Sequence, residues 1–303
     1  MEAELSTNTL AEARHGSPGA RLRALIERPQ LTLVTEAPAP QMARVAEALG
    51  HECLYTGGGM LSRWHLVVED WGLIQQSELA RMAGEVARAV SVPVIADADQ
   101  GGETPLNTWK SVRDFEREGI AGIHIEDSVN PKYINVPSAA RRAIEVPQAE
   151  MLERIVAAVE GRRDPGFVII ARTDVLVHAE EPAAMVDAVI ARAHAYKEAG
   201  ADVFMPVGMD EHLVARVSAE SPLPVFGLGI TRRQAEGTQL RLSLFQTHDP
   251  LIALYERMAR DLMANGELPD LPLPTITVGG FPESDALREI ARRWFAADSR
   301  YKS

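Results

Sequence analysis

The chain has 303 residues, 46% apolar and 24% charged, and its 31 basic against 43 acidic side chains give a net charge of −12 at pH 7. That describes a globular protein with a sizeable core, either two domains or one α/β barrel with extensions. An acidic balance with no long Lys/Arg run argues against nucleic acid and membrane surfaces as partners.

Residues 1–20 are polar and lack an apolar segment, which reads as a loose N-terminal arm, neither signal peptide nor anchor. Residues 20–27 are expected to form a short helix stopped by Pro29. Eight β-branched or apolar runs then follow, at 31–35, 52–55, 92–96, 122–125, 167–171, 202–205, 223–227 and 240–245. Between most of them lie amphipathic patterns, such as Leu79, Met82, Ala83, Val86, Ala87 and Val90, or Met185, Val189, Ala193 and Tyr196. Strands alternating with helices fit an open doubly wound sheet or a closed (β/α)8 TIM barrel, and the count of eight favours the barrel. Gly119 and Gly200 end helices that feed directly into strands. The single cysteine, Cys53, rules out an intrachain disulfide and a Cys-based zinc cluster and fits a cytoplasmic location. Residues 250–264 read as the last barrel helix, and a Pro-rich stretch at 268–282 leads to a final helix over 284–295. Leu287, Ile290, Ala291, Trp294 and Phe295 share one side of it. That side either docks on the chain's own barrel or packs against another subunit. The expected division is an arm at 1–20, a barrel at 21–265 and a tail at 266–303.

In such a barrel the reacting groups sit at the C-terminal ends of strands. Four runs end in polar residues: Asp97-Ala98-Asp99, Glu126-Asp127, Arg172-Thr173-Asp174 and Gln246-Thr247-His248-Asp249. Asp97 and Asp99, spaced i, i+2, are expected on one side of a strand, with Glu126 on the next. Three carboxylates brought together repel unless a proton or a cation sits among them. Oxygen ligands without Cys select magnesium, or manganese in its place, while the plainer alternative is pairing with Arg and helix capping. Arg172 is placed to grip a carboxylate, or else to pair with Asp174 or Glu126. His248 is either an acid–base group or a helix cap. Thr56-Gly57-Gly58-Gly59 after the second strand could cradle an anion, though no P-loop or dinucleotide fingerprint is present.

These residues carry a family likeness. The motifs Leu54-Tyr55-Thr56-Gly57-Gly58-Gly59, Pro93-Val94-Ile95-Ala96-Asp97-Ala98-Asp99, Gly122-Ile123-His124-Ile125-Glu126-Asp127, Asn130-Pro131-Lys132 and Ile169-Ile170-Ala171-Arg172-Thr173-Asp174 occur in that order. Over roughly residues 22–265 the chain resembles the phosphoenolpyruvate mutase/isocitrate lyase superfamily. The resemblance implies a (β/α)8 barrel whose eighth helix is swapped between subunits in a dimer of dimers. It implies Mg2+ held through Asp97, Asp99 and Glu126, partly by way of water. It also implies a small 2-oxo or 2-hydroxy carboxylate gripped by Arg172 and by the backbone from Tyr55 through Thr56, Gly57 and Gly58. The shared chemistry is the making or breaking of a bond to carbon through a metal-stabilised enolate.

The chain also departs from that pattern. The carbon–carbon lyases carry Lys-Arg/Lys-Cys-Gly-His on a loop after the fourth strand, where this chain has Lys132-Tyr133-Ile134-Asn135-Val136. Ile134 and Val136 replace the Cys and the His, and neither moves a proton. Lys132 alone matches the Lys-Thr-Asn of the mutase and hydrolase branches. Ala39 stands where the family has a strand-one Asp, with Glu36 nearby, and the usual Gly-Tyr-Gly is Gly101-Gly102-Glu103. His248 aligns with a strand-eight histidine of the mutases, phosphonopyruvate hydrolases and oxaloacetate decarboxylase of the family. The resulting expectation is a Mg2+-dependent carbon–carbon lyase or decarboxylase of a small oxo- or hydroxy-dicarboxylate. Arg172 would hold a carboxylate, His248 would orient or protonate the enolate, and Lys132 or Tyr133 would stand in for the loop acid. Phosphonopyruvate chemistry and a catalytically silent ligand-binding barrel are the alternatives.

Overall fold

The computed structural model describes residues 16–130, 132, 145–177 and 179–295. Eight strands close into a parallel barrel in sequential order: β1 (Thr32–Glu36), β2 (Cys53–Thr56), β3 (Val94–Asp97), β4 (Gly122–Glu126), β5 (Val168–Thr173), β6 (Val203–Pro206), β7 (Val225–Leu228) and β8 (Leu240–Phe245). β1 pairs with β8 to complete the ring. The expected (β/α)8 barrel is therefore present. Several strands run one or two residues further toward their C-terminal ends than apolar content suggests. Asp97, Glu126 and Arg172 belong to the ladders themselves.

The helices are α1 (Pro18–Glu27), α2 (Pro40–Ala48), α3 (Gly58–Leu61), α4 (Gln76–Ala89), α5 (Pro105–Arg117), α6 (Gln148–Gly161), α7 (Val186–Glu198), α8 (Glu211–Glu220), α9 (His248–Asn265) and α10 (Pro282–Phe295). α1 begins two residues earlier than expected because Ser17 caps it, accepting from the Ala20 N–H at 3.1 Å, and Pro18 supplies a preset φ. α5 starts on a capping box between Thr104 and Asn107.

Parallel strands covered on both faces bury consecutive residues, so alternation shows only in which side each residue faces. Leu54, Ala96, Ile123, Ile125, Ile169 and Phe204 point outward into one apolar cluster shared with the helices. Cys53, Ile95, Val168, Ile170, Val203, Phe226 and Leu242 point inward into a second cluster. Leu22 and Ile26 of α1 join that inner cluster beside Ala121 and Val168, at the N-terminal ends of β4 and β5. The inner core is thus sealed from below, and its open end is the end where the polar residues emerge.

The chain divides into a unit covering Gly16–Ile252 and a second that includes Ala253 onward. In the second, Leu287, Trp294 and Phe295 of α10 are exposed, Trp294 at 77%. Among the described residues no helix is long and apolar enough to cross a membrane.

Candidate active site

The last inward-facing residue of each strand defines the barrel mouth. Around the ring these are Glu36, Tyr55, Asp97, Glu126, Arg172, Met205, Leu228 and Leu244. Strand parity makes this ring, since inward positions recur every second residue. Asp97 therefore follows Ile95 on the inner face, and Arg172 follows Ile170.

Asp97 is fixed from several directions. Its Oδ2 accepts the Gly58 N–H at 3.0 Å and lies 3.5 Å from the Tyr55 hydroxyl, while Oδ1 accepts the Asp99 N–H at 2.9 Å. The Tyr55 hydroxyl is 2.7 Å from Nε2 of His124, which also stands 3.5 Å from Asp97 Oδ1. Asp99 corrects the expectation of a shared strand face. It lies beyond β3 with φ of +46°, so a left-handed turn and not strand alternation brings its carboxyl inward. Gly57 and Gly58 are needed for close approach: a Cβ at Gly57 would lie 2.8 Å from the Tyr55 ring, and one at Gly58 3.1 Å from Asp97 Oδ2. The expected anion cradle thus spends its Gly58 N–H on Asp97. The Thr56 hydroxyl is buried with no hydrogen-bond partner.

Lys132 lies inside the carboxylate group. Its Nζ is 2.5 Å from Asp99 Oδ1, 3.2 Å from Asp70 Oδ2 and 3.4 Å from Glu126 Oε1. Glu126 also accepts from Gln100 Nε2 at 3.1 Å and from the Ser128 hydroxyl, and its Oε2 is 3.1 Å from Arg172 Nη1. Arg172 turns its fork on Asp174, with Nε at 2.8 Å and Nη2 at 2.9 Å. Both partners weighed for Arg172 from the sequence are therefore used, and the guanidinium still borders the central cavity.

Burial pushes the Asp99 carboxyl up to about 7; Lys132 opposes that rise, and Asp97, Glu126 and Asp70 add to it. Burial alone would also raise Asp97, but His124, Lys132 and Arg172 outweigh it and hold that carboxyl below its ordinary range. Burial disfavours the Lys132 ammonium, yet Glu126, Asp99, Asp97 and Asp70 around it keep its pKa well above the usual lysine value.

The donor set fits a hard divalent cation. Asp99 Oδ1 and Glu126 Oε2 are buried and make no directional hydrogen bond, meeting only the cations Lys132 and Arg172. Among the described residues no three His, Cys, Asp or Glu side chains stand close enough to cage an ion directly. An ion that keeps water between itself and some carboxylates, as Mg2+ does, needs no such cage.

On the other side of the mouth, His248 opens α9. Its Nδ1 is 2.9 Å from Glu36 Oε2, which also accepts the Thr247 N–H at 2.9 Å, and its Nε2 is 3.2 Å from Arg63 Nη1. The exposed Asp249 carboxylate is 3.5 Å from the same Nε2. Glu36 supplies a strand-one carboxylate, while Ala39 is the residue before α2 and offers no cap. A cavity of about 200 Å3 lies between the two sides, bordered by Asp97, Arg172, Arg63 and the apolar Met205, Val207, Leu228 and Leu244. Gly102 and Glu103 border a separate polar hollow of about 430 Å3 that shares Asp99 with the cluster.

Tyr133, Ile134 and Val136 lie outside the described residues. Sequence reasoning passed over His124, Asp70, Gln100, Ser128 and Arg63 as site residues. His124 was open to discovery, being two residues before Glu126 on the inner face of β4. Asp70 and Arg63 come from the connection after β2, where no periodicity points to them.

Residues 22–243 match the phosphoenolpyruvate phosphomutase family model. A 2-methylisocitrate lyase of Aeropyrum pernix is 40% identical over 190 residues, 62% of this chain and 58% of that protein. An oxaloacetate decarboxylase of Pseudomonas paraeruginosa is 38% identical over 206 residues, 67% of this chain and 68% of that protein. The crystal structure of a phosphoenolpyruvate phosphomutase from Streptomyces platensis subsp. rosaceus superposes with a TM-score of 0.81 at 28% identity, covering 92% of this chain and 99% of that one. With the matched barrel, its ordered motifs and these relatives in agreement, the chain belongs to the phosphoenolpyruvate phosphomutase family.

Proposed function

We propose that this protein is a Mg2+-dependent carbon–carbon lyase or decarboxylase acting on a small 2-oxo- or 2-hydroxy-dicarboxylate. The observation that carries this reading is the convergence of Asp97, Asp99 and Glu126 beside Arg172 and Lys132 at the C-terminal mouth of the barrel, where Asp99 Oδ1 and Glu126 Oε2 are buried and face only cations. Asp97, Asp99 and Glu126 would hold the ion, with Mn2+ able to replace it. A metal bound there would supply Lewis-acid stabilisation of negative charge that develops on the substrate. Arg172, its Nε and Nη2 held by Asp174 and its Nη1 by Glu126, would offer a fixed positive charge at the cavity edge to the carboxylate next to the substrate's 2-oxygen. Tyr55, held by His124, sets the position of Asp97. Lys132 balances the negative charge of the cluster. With Ile134 at the place of the loop Cys, decarboxylation is the step that asks least of the chain. CO2 leaves neutral, and the remaining carbon can take its proton from solvent.

The relatives named as 2-methylisocitrate lyase and oxaloacetate decarboxylase support this class of chemistry. The exposed Leu287, Trp294 and Phe295 on α10 support assembly with further copies of the chain as a dimer of dimers, which sedimentation in solution would measure. The single buried cysteine and the absence of a membrane-crossing helix among the described residues are consistent with work in the cytoplasm.

A screen of 2-oxo and 2-hydroxy di- and tricarboxylates with Mg2+, reading pyruvate, CO2 and phosphate separately, tests the proposal. Release of pyruvate or CO2 that stops on chelation is the expected result. Phosphate release from phosphonopyruvate alone, or turnover indifferent to chelation and to Asp97→Ala, would overturn it.

A further inference from the structure

We infer that Arg63 is the specificity-determining residue that reads the substrate's second carboxylate, and that His248 and Glu36 are the residues that position it. The inference rests on the proposed function and says which diacids that site selects.

Three observations carry it. First, among the described residues that border the central cavity, Arg172 and Arg63 are the cations, and they differ in how they are used. Arg172 is braced by Asp174 and Glu126, whereas Arg63 meets no carboxylate among the described residues and has one polar partner, His248 Nε2, at 3.2 Å. Arg63 is exposed to solvent at the cavity's rim, so its guanidinium is free to take an anion that enters there.

Second, the hydrogen bonds around His248 leave its lone pair for Arg63. Glu36 Oε2 receives Nδ1–H at 2.9 Å, together with the Thr247 N–H at 2.9 Å and the His248 N–H at 3.3 Å. An arginine can only donate, so in this contact Nε2 is the acceptor while Nδ1–H faces Glu36. The strand-eight histidine thus aims the guanidinium, and Glu36 in turn aims the histidine. Both are tied to the ends of β1 and β8, whereas Arg63 sits in the π-helical turn Ser62–Leu66 and would otherwise be free to swing.

Third, the wall facing the carboxylate cluster is largely apolar and carries no cation. Met205, Val207, Leu228 and Leu244 offer no donor to a further carboxylate or hydroxyl, and the Gln246 amide beside them is uncharged. A third carboxylate would sit there without a counter-ion, at the desolvation cost of an uncompensated charge. Two cations and a largely aliphatic wall in about 200 Å3 describe a short diacid whose carbon link is bare or alkylated, not a tricarboxylate.

Calorimetric titration of the full chain with Mg2+ tests this, using four probes. Oxalate reports the Arg172 side alone, lactate is a 2-hydroxy monoacid, malate a diacid and isocitrate a triacid. Malate, in one of its enantiomers, is expected to bind about tenfold or more tightly than lactate and than isocitrate, the size of one charge-assisted contact. In Arg63→Gln malate should fall to the level of lactate while oxalate stays within about twofold. His248→Leu should lose most of the malate preference and His248→Gln, which keeps an acceptor, should recover part of it, a pattern that a purely structural histidine would not show. An unchanged malate-to-lactate ratio in Arg63→Gln with oxalate binding intact overturns the inference and leaves the proposed function standing, as does isocitrate binding as tightly as malate. Failure of oxalate to bind in the presence of Mg2+ removes the proposed function and this inference together.

Discussion

The two halves of the barrel mouth are built on the same parity and filled with opposite chemistry. From β1 to β5 the last inward residues are Glu36, Tyr55, Asp97, Glu126 and Arg172; from β6 to β8 they are Met205, Leu228 and Leu244. Neighbouring strands deliver them in register, since Glu126 pairs with Arg172 and Arg172 with Met205. The division therefore falls between adjacent strands, within a single layer of side chains. Its lesson is that the fold keeps two chemistries apart: one half gathers charged side chains at the mouth, and the other lines it with mostly aliphatic ones.

The comparison breaks first on the charged side. Asp97→Ala removes the carboxylate that anchors Gly58 and faces Tyr55, and turnover should fall by about a hundredfold or more while the circular dichroism spectrum stays unchanged. Turnover within a fewfold of the parent would place the chemistry elsewhere. Arg172→Ala leaves Asp174 buried without the cation that forks onto it and strips Glu126 of one of its two, and chemical denaturation should show a loss of roughly 3–5 kcal/mol; a loss below about 1 kcal/mol would mean that the pairing contributes little.

On the apolar side, Leu244→Ala should lower stability by about 2–3 kcal/mol through the cavity it opens, with Mg2+ affinity untouched because no metal-holding group is disturbed. A matching fall in Mg2+ affinity would show that the two halves are not separable. A smaller effect tests the scaffold behind β4. The Tyr196 hydroxyl lies 3.0 Å from Asp127, which also accepts from Thr173 at 2.6 Å and from Arg192 at 3.2 Å. Tyr196→Phe should therefore cost only about 1 kcal/mol in urea denaturation, since Asp127 keeps its other partners. The smallest expected signal is that of Cys53, which lies fully buried in the inner core. Burial raises its thiol far above the ordinary value, so a thiol reagent should give no reaction with the folded chain and one equivalent after unfolding. Rapid labelling of the native protein would mean that the inner core opens.

The strands and the helices that cover them were legible because their patterns are local. Val94-Ile95-Ala96 and Val168-Ile169-Ile170 are short apolar runs beside Gly-ended helices, and eight of them leave little choice of architecture. Asp97, Glu126 and Arg172 were legible for the same reason, as polar residues at strand ends. Asp99 was right as a member of the cluster and wrong in its reason, because a left-handed turn carries it inward. Arg63 and Asp70 escaped notice. Their places come from the π-helical turn Ser62–Leu66 and the connection after it, and nothing in a linear pattern marks that path.

By itself the sequence determined the family likeness, the closed eight-stranded barrel and the carboxylate–arginine set, because strand parity and ordered motifs are properties of neighbouring residues. Only the tertiary structure decided that Lys132 enters the carboxylate cluster, that Glu36 and His248 hold Arg63 across 185 residues of chain, and that the wall opposite is largely apolar. Those are contacts between ends of different strands. Their geometry exists only once the barrel has closed and set β8 beside β1.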